Sequence, residues 1–494
     1  MPAEFFEPIS NKQTPPVYLF FDGKQWVGSA SGKTVAVASP INGEVVGELQ
    51  IVTEQEIDMV MQAASAAQPA WEATPLNKRV AIMHLAADWI RHFEEYLTAL
   101  LVREIGKTDS EARSEIKRTA DLTDYFADEV QSMRGETLDS DNFPGYDKGR
   151  IAVIERVAYG VAVAIAPFNY PVNLSASKIV PALLMGNSVV FKPPTQGGIS
   201  GIHLTRMFEK AGVPAGVISC ITGSGTEVGN AVVSHPLVDM ITFTGSSDTG
   251  VAIAEKAGMV PLVFECGGNN PAVVYPDADM NLTAREIVKG GFAFAGQRCT
   301  AIKYVLGTQG VLEQLLPVVV TQMKELVAMG DPRSTETKLV GPIVSESAAK
   351  QFQQWIDASV QQGAKVAIGG ICKGNYMEPT ILTNVSPNMP VVAHEVFGPL
   401  ISFITIKSMD EAITIINNSM FGLQASVFTK DEGTGIIFAK RLNVGTVQIN
   451  GSPQRGPDHF PFLGVKRSGL GVQGVRYSLE AMSRLRPIVI NKPS

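Results

Sequence analysis

The sequence is poor in cysteine, in histidine and in positive charge. Its four cysteines, Cys220, Cys266, Cys299 and Cys372, stand far apart with no C-x-x-C pair. That spacing speaks against a zinc site and against a disulfide framework, and no metal is expected. There are six histidines, and none neighbours Cys299 in the way a cysteine hydrolase would require. Acidic residues outnumber basic ones and the net charge is -7. With no basic stripe and no aromatic residues interleaved among cations, a nucleic-acid partner is not expected. No uninterrupted apolar run reaches membrane-spanning length, and the acidic stretch from Met1 to Glu7 has no apolar signal core. The expectation is a soluble cytoplasmic protein without a membrane partner. Neither of the glycine clusters at 223–229 and 243–250 is a G-x-G-x-x-G fingerprint, and the second lacks the lysine of a P-loop.

What remains is an ordinary globular composition, 45% hydrophobic and 18% charged, over 494 residues. That length exceeds one simple core, so two or three domains are expected. Residues 54–68 and 76–105 carry helical periodicity in good helix formers. From about residue 151 the pattern changes to alternation. The run Val161–Ile165 reads as a buried strand, followed by a helix through Leu184 that stops at Gly186. Further strands are predicted at 188–191, 216–221, 239–243 and 260–264, with a helix over 200–211. A second alternating series starts near Ala272 and runs to about residue 450. Such alternation gives parallel sheets covered on both faces. Segments 137–156 and 482–494 fit neither series; both are strand-like, free to pair with each other or with another subunit.

The chemistry concentrates around Gly296-Gln297-Arg298-Cys299-Thr300 and the carboxylate Glu265, which lies thirty-four positions earlier. A lone cysteine is ordinarily a small buried hydrophobe. Here the polar neighbours Gln297, Arg298 and Thr300 argue against a core site, and the preceding segment 283–295 looks helical. Cys299 is therefore predicted in a loop just past a helix, where catalytic residues concentrate. Glu265 ends the 260–264 strand and precedes Cys266-Gly267-Gly268. It is either an exposed strand-end residue or a base aimed into the crevice at the carboxyl edge of an open sheet. A thiol nucleophile with a carboxylate base can make and then hydrolyse a covalent intermediate. Asn169, in the Pro-flanked turn after Val161–Ile165, is either a turn residue or a donor to an oxyanion.

Two glycine clusters each follow a strand and open a helix: Gly223-Ser224-Gly225 with Gly229, and Thr244-Gly245-Ser246 through Gly250. Backbone donors and the helix dipole favour phosphate at such points. The strand end Phe191-Lys192-Pro193-Pro194-Thr195 offers a lysine and a threonine and no carboxylate. An NAD site places an acid near the ribose 2′-hydroxyl, so this strand end suits a 2′-phosphate better. The loop 448–462, with Arg455 before Phe460-Pro461-Phe462, reads as a surface connection or a pocket wall.

Jointly these residues resemble the aldehyde dehydrogenase superfamily from about residue 17 onward. The marks are Pro167-Phe168-Asn169, Lys192-Pro193, Phe243-Thr244-Gly245-Ser246, Glu265-x-Gly267-Gly268, Gly296-Gln297-x-Cys299 and Glu395-x-Phe397-Gly398-Pro399. One departure is Cys266-Gly267-Gly268-Asn269 in place of the usual Leu-Gly-Gly-Lys. Within the superfamily the chain is most similar to the non-phosphorylating, NADP-dependent glyceraldehyde-3-phosphate dehydrogenases. The residues that carry this are Tyr170, Arg298, Arg118 in Ile116-Lys117-Arg118-Thr119-Ala120, and Gln454-Arg455-Gly456-Pro457-Asp458.

The resemblance implies an α/β fold of two doubly wound domains with a small β arm for oligomerisation. The Rossmann-like cofactor domain would comprise 1–136 and 157–270, the catalytic domain 271–455, and the arm 137–156 and 482–494. A loop and helix, 456–481, would return to the cofactor domain. It further implies NADP as cofactor, a small-molecule substrate and a homotetramer. Cys299 would be the nucleophile, Glu265 the base that activates water, and Asn169 the oxyanion donor. Lys192, Thr195, Gly225, Gly229, Thr244, Gly245, Ser246, Glu395 and Phe397 would hold the cofactor. Arg118, Tyr170, Arg298 and Arg455 would gather around a substrate phosphate. The implied reaction takes D-glyceraldehyde 3-phosphate to 3-phosphoglycerate through a thioester hydrolysed by water; another short hydroxyaldehyde or a semialdehyde is the alternative substrate. Arg118 and Arg455, remote from Cys299 in sequence, are expected to act on binding alone, whereas Arg298 also bears on the thiol.

Overall fold

A computed structural model of the chain describes residues 2–11, 13–145, 149–334 and 339–491. Residues 1 and 12 of the expected cofactor domain, 335–338 of the expected catalytic domain, and 146–148 and 492–494 of the expected arm lie outside the described residues.

The first large sheet has eight strands. Its centre is five parallel strands in the spatial order Leu262–Glu265, Met240–Thr244, Val161–Ile165, Ser188–Lys192 and Ile218–Cys220. Nearly every residue in them is buried, as expected of apolar runs covered on both faces. The chain winds outward from Val161–Ile165 to Ile218–Cys220, then crosses back to Met240–Thr244 on the other side. Strand order therefore reverses between Val161–Ile165 and Met240–Thr244, and a crevice opens at their carboxyl ends. Antiparallel strands close both edges: Gly469–Leu470 on one side, Phe20–Phe21 and Trp26–Val27 on the other.

The helices over this sheet begin where local sequence supplies donors and acceptors. Thr53 with Glu56 and Thr108 with Glu111 form capping boxes at Glu54–Glu72 and Asp109–Glu129. The helix Asn173–Leu184 is buried along its whole length. Its first N–H groups are met by a carboxylate: Glu115 Oε1 accepts from Val172 N and Asn173 N, each at 3.0 Å. Lys107 pairs with the other oxygen of Glu115, and both side chains are fully buried. The predicted helical stretch 76–105 is two helices, Leu76–His92 and Glu94–Ile105. Phe93 breaks it, because its ring turns in to pack against Phe5, Phe6 and Trp89.

The second large sheet has seven strands, six parallel, with Lys365–Ile368 antiparallel at one edge. Its strands Asn270–Val274, Ile302–Gly307 and Leu400–Thr405 start a few residues after Glu265, Cys299 and Phe397. The amino edge of this sheet thus faces the carboxyl edge of the first. A third sheet pairs Glu136–Asp139 with Arg150–Ala158, and Arg150–Ala158 with Ser483–Asn491, all antiparallel. Ser483–Asn491 is an edge strand with Leu485, Ile488, Val489 and Ile490 exposed. No described helix is long and apolar enough to cross a membrane.

Between Glu265 and Asn270 the backbone passes from one sheet to the other through Gly267 and Gly268. A Cβ on Gly268 would lie 2.2 Å from the carbonyl oxygen of Cys299, and one on Gly267 2.2 Å from Glu395 Oε2. Contact with a backbone atom cannot be relieved by a rotamer change, so Gly268→Ala is expected to displace the Cys299 loop, with a loss of stability of about 1–3 kcal/mol from overpacking and loss of turnover. Gly310→Ala, where nothing lies within 4 Å, is the comparison and should keep full activity. Thermal unfolding of the two variants beside the parent chain checks this; equal melting temperatures and rates would contradict it.

Candidate active site

Cys299 stands between two cavities that meet at its side chain. One, of about 630 Å³, is walled by Asn169, Thr195, Thr244, Ser246, Glu395 and Phe397 among others. The other, of about 140 Å³, is walled by Arg118, Tyr170, Glu265, Arg298, Arg455 and Phe462. Cys299 belongs to both walls. Of the residues read from sequence as cofactor contacts, Thr195, Thr244, Gly245, Ser246, Glu395 and Phe397 line the larger cavity, whereas the four read as phosphate contacts line the smaller one.

The loop that carries Cys299 follows the helix Met280–Phe292. Phe294 and Ala295 adopt left-handed φ values of 50° and 51°, each costing about 1–2 kcal/mol relative to a right-handed residue. Long-range bonds hold this turn. Gln297 is fully buried: its Nε2 donates to Pro342 O at 3.2 Å and its Oε1 accepts from Val344 N at 2.8 Å. The polarity of Gln297 thus marks a satisfied core residue, contrary to the inference of exposure. Asn270 Nδ2 donates to both Cys299 O and Ala301 O at 2.8 Å. Asn169 Nδ2 donates to Gln297 O at 3.0 Å, which leaves its second N–H for another acceptor in the larger cavity.

Glu265 is buried, and its two oxygens differ. Oε2 accepts from Arg455 Nη1 at 2.8 Å and from Thr244 Oγ1 at 3.0 Å, and lies 3.9 Å from Lys178 Nζ. Oε1 has no hydrogen-bond partner among the described residues. Lys178 donates to Thr244 Oγ1 at 2.6 Å; burial pushes its pKa down to about 8. Lys178 was missed in the sequence reading, although it is the only lysine of a helix otherwise made of small and apolar residues. Glu395 Oε1 accepts from Gly268 N at 3.0 Å, and Lys303 donates to Gly296 O at 2.7 Å. Burial raises the Glu395 carboxyl and lowers the Lys303 ammonium, each partly offset by the other's charge.

Of the phosphate-side residues, Arg118 and Arg455 are linked to each other, while Arg298 and Tyr170 are held separately. Arg118 grips Asp458 with Nε at 2.7 Å and Nη2 at 2.6 Å, and Nη2 also donates to Arg455 O at 2.6 Å. Arg298 Nη2 donates to Gly290 O at 2.8 Å. Tyr170 lies under Lys107, whose Nζ is 3.6 Å from the ring centroid. Arg455 is bonded directly to Glu265. The expectation that Arg455 bears on binding alone is therefore incorrect: remoteness in sequence is not remoteness from the base.

The larger cavity fits a dinucleotide phosphate. Ser246 caps the helix Ser247–Lys256, and Gly245, Ser246 and Thr249 present its amino end to the cavity. Lys192 is buried, and among the described residues its three donors have only a 3.3 Å bond to Pro193 O; burial lowers it to about 8. Gly229 lies beside it; a Cβ there would be 3.8 Å from Lys192 Cε. Gly225 opens the helical turn Gly225–Gly229, with free space where a Cβ would project. Lys192, Gly225 and Gly229 lie outside the walls of both cavities.

A parallel sheet with a cavity at its switch point, a thiol at the cavity's inner end and a buried carboxylate beyond it define a thiol-dependent dehydrogenase site. The sequence pattern of the aldehyde dehydrogenase family matches residues 26–488, and the chain belongs to that family. It is similar to the NADP-dependent glyceraldehyde-3-phosphate dehydrogenase of Pisum sativum, 42% identical over 97% of this chain and 96% of that one. The enzyme of the same name from Streptococcus equinus is 41% identical over 93% of this chain and 96% of its own. Among solved structures, the NADP-dependent glyceraldehyde-3-phosphate dehydrogenase of Bacillus halodurans C-125 complexed with NADP superposes with a TM-score of 0.93. It is 43% identical, covering 96% of this chain and 99% of its own.

Burial pushes the Cys299 thiol up to about 12, and Glu265 and Glu395 act in the same direction. Arg455 and Arg298 pull it down without overcoming burial. The thiolate is the reactive species, so in the substrate-free protein alkylation of Cys299 by iodoacetamide should accelerate about tenfold per pH unit between about pH 7 and pH 9. Mass spectrometry of the labelled peptide reads the rate. A plateau below about pH 8 would mean that the arginines win over burial.

Proposed function

We propose that the chain oxidises D-glyceraldehyde 3-phosphate to 3-phosphoglycerate with NADP⁺, irreversibly, water being the acyl acceptor. The observation that carries this reading is the small cavity beyond Cys299, walled by Arg118, Arg298, Arg455 and Tyr170. A protein of net charge -7 that gathers guanidinium groups there suits a phosphorylated aldehyde.

In this reading Cys299 Sγ adds to the aldehyde carbon. The alkoxide is held by the free N–H of Asn169 Nδ2. NADP⁺, when bound by Lys192, Thr195, Ser246, Glu395 and Phe397, supplies the hydride acceptor. The substrate is then a thioester on Cys299. Glu265 Oε1, the carboxylate oxygen without a partner, takes a proton from water, and the hydroxide oxygen displaces the sulfur. Lys178 and Thr244 steady the other oxygen of the base.

Cytoplasmic location and a role in glycolysis belong to the same proposal. All four cysteines are free thiols, which suits a reducing compartment. We also propose a homotetramer: the apolar edge strand Ser483–Asn491 offers unpaired backbone to a second copy.

Initial rates with glyceraldehyde 3-phosphate, NADP⁺ against NAD⁺, with and without inorganic phosphate, test the function directly. The rate should be independent of phosphate and higher with NADP⁺; a requirement for phosphate would rule the reading out. Glu265→Gln should leave one burst of NADPH per site while steady turnover falls by about 10²–10⁴-fold, since acylation needs no activated water; stopped-flow absorbance at the reduced nicotinamide band separates the phases. Thr195→Glu should move the ratio of kcat/KM values from NADP⁺ towards NAD⁺, because a carboxylate repels a 2′-phosphate and accepts from a 2′-hydroxyl. An unchanged ratio would place the 2′-phosphate elsewhere.

A further inference from the structure

Arg455 faces two ways. Its Nη1 donates to Glu265 Oε2 at 2.8 Å, its Nη2 to Gln473 Oε1 at 3.0 Å, and its guanidinium lies 5.4 Å from the centroid of the Phe462 ring. It is also part of the wall of the small cavity. The other two arginines of that wall are tied elsewhere, Arg118 to Asp458 and Arg298 to Gly290 O. Arg455 is thus the arginine of this wall that is bonded to the base while bordering the space for the substrate's anionic group. Asp458 Oδ1, 3.8 Å from Arg455 Nε, adds a second carboxylate beside the same guanidinium.

The pairing has a chemical effect. While its Nη1 is bonded to Glu265 Oε2, the guanidinium of Arg455 is engaged by the base and not by an anion in the cavity. A phosphate dianion offers three acceptor oxygens, and guanidinium matches them in bidentate geometry. It therefore competes with Glu265 for the same fork.

We propose that Arg455 is a positioning and specificity residue that passes from Glu265 Oε2 to the anionic group of the substrate, so that Glu265 acts on water faster when an anionic aldehyde fills the small cavity. This rests on the reading of the substrate as a phosphorylated aldehyde. An uncharged aldehyde still acylates Cys299, but Arg455 then stays on Glu265 and the thioester is hydrolysed slowly. In that hydrolysis the water oxygen forms the new C–O bond and Glu265 takes its proton. The C–S bond breaks with its electron pair on sulfur, the sulfur is reprotonated, and the acid leaves as its carboxylate with one proton released. Thr244 and Lys178 keep their contacts with the carboxylate throughout, so its position persists while its pairing changes.

Rapid mixing of the full-length enzyme with NADP⁺ separates acylation from hydrolysis. For the parent enzyme, hydrolysis of the thioester from unphosphorylated D-glyceraldehyde should be slower than that from glyceraldehyde 3-phosphate by about tenfold or more, the scale of one charge-assisted hydrogen bond. Phosphite dianion added with D-glyceraldehyde should speed that hydrolysis. Arg455→Gln should hydrolyse the D-glyceraldehyde thioester faster than the parent does and lose the response to phosphite, while kcat/KM for acylation by glyceraldehyde 3-phosphate falls. Arg455→Lys should recover part of the phosphite response. Hydrolysis in Arg455→Gln that is unchanged or slower, or a parent enzyme indifferent to phosphite, overturns the handover. The phosphite arm uses the parent chain and stands even if a variant fails to fold. Absence of any preference for glyceraldehyde 3-phosphate in acylation would instead overturn the substrate reading.

Discussion

The short passage from Glu265 to Asn270 governs the rest of the molecule. It leaves the carboxyl edge of one sheet and enters the amino edge of the other within a few residues, so the two sheets must share a single crevice. Its first residue carries the carboxylate and its last, Asn270, holds the backbone on either side of Thr300 by two hydrogen bonds. Between them the backbone approaches Cys299 O and Glu395 so closely that only hydrogen fits at Cα. Base, nucleophile and Glu395 are thereby fixed relative to one another by the hydrogen bonds and close backbone contacts of one short segment.

Charge supplies the second constraint. Lys107 with Glu115, and Lys178 and Arg455 with Glu265, are all placed where water is largely excluded. An isolated ion there costs several kcal/mol, and removing one partner of such a pair typically costs about 3–5 kcal/mol. Each of these groups is therefore held to its neighbour. The Lys107–Glu115 pair reaches furthest: through Val172 and Asn173 it seats the helix that carries Lys178, and through the face of Tyr170 it steadies the small cavity.

The strand Val161–Ile165 and its parallel neighbours were legible because a continuous apolar run between turn residues has few other readings. The family was legible because its motifs are short runs beside strand ends, readable without any distant contact. The break at Phe93 was not, since the periodicity of 76–105 runs through it and the cause is an aromatic cluster formed with Phe5 and Phe6 at the other end of the sequence. Gln297 read as exposed because its partners, Pro342 O and Val344 N, lie more than forty positions away. The bond between Arg455 and Glu265 spans 190 positions; nothing local announces it. Lys178 alone left a trace, a single cation in an apolar helix, of the kind that a buried partner explains.

The two unequal cavities on either side of Cys299 carry a consequence for inhibition. A compound filling only the arginine-walled side leaves the dinucleotide side open, and the reverse holds for a nucleotide mimic. The two kinds of inhibitor can occupy one active site together, and the inhibition each produces need not be relieved by the ligand of the other side. A single molecule that reaches into both cavities must pass the sulfur itself, which sets the narrowest point such a compound has to negotiate and makes the thiol the natural place for a covalent linkage.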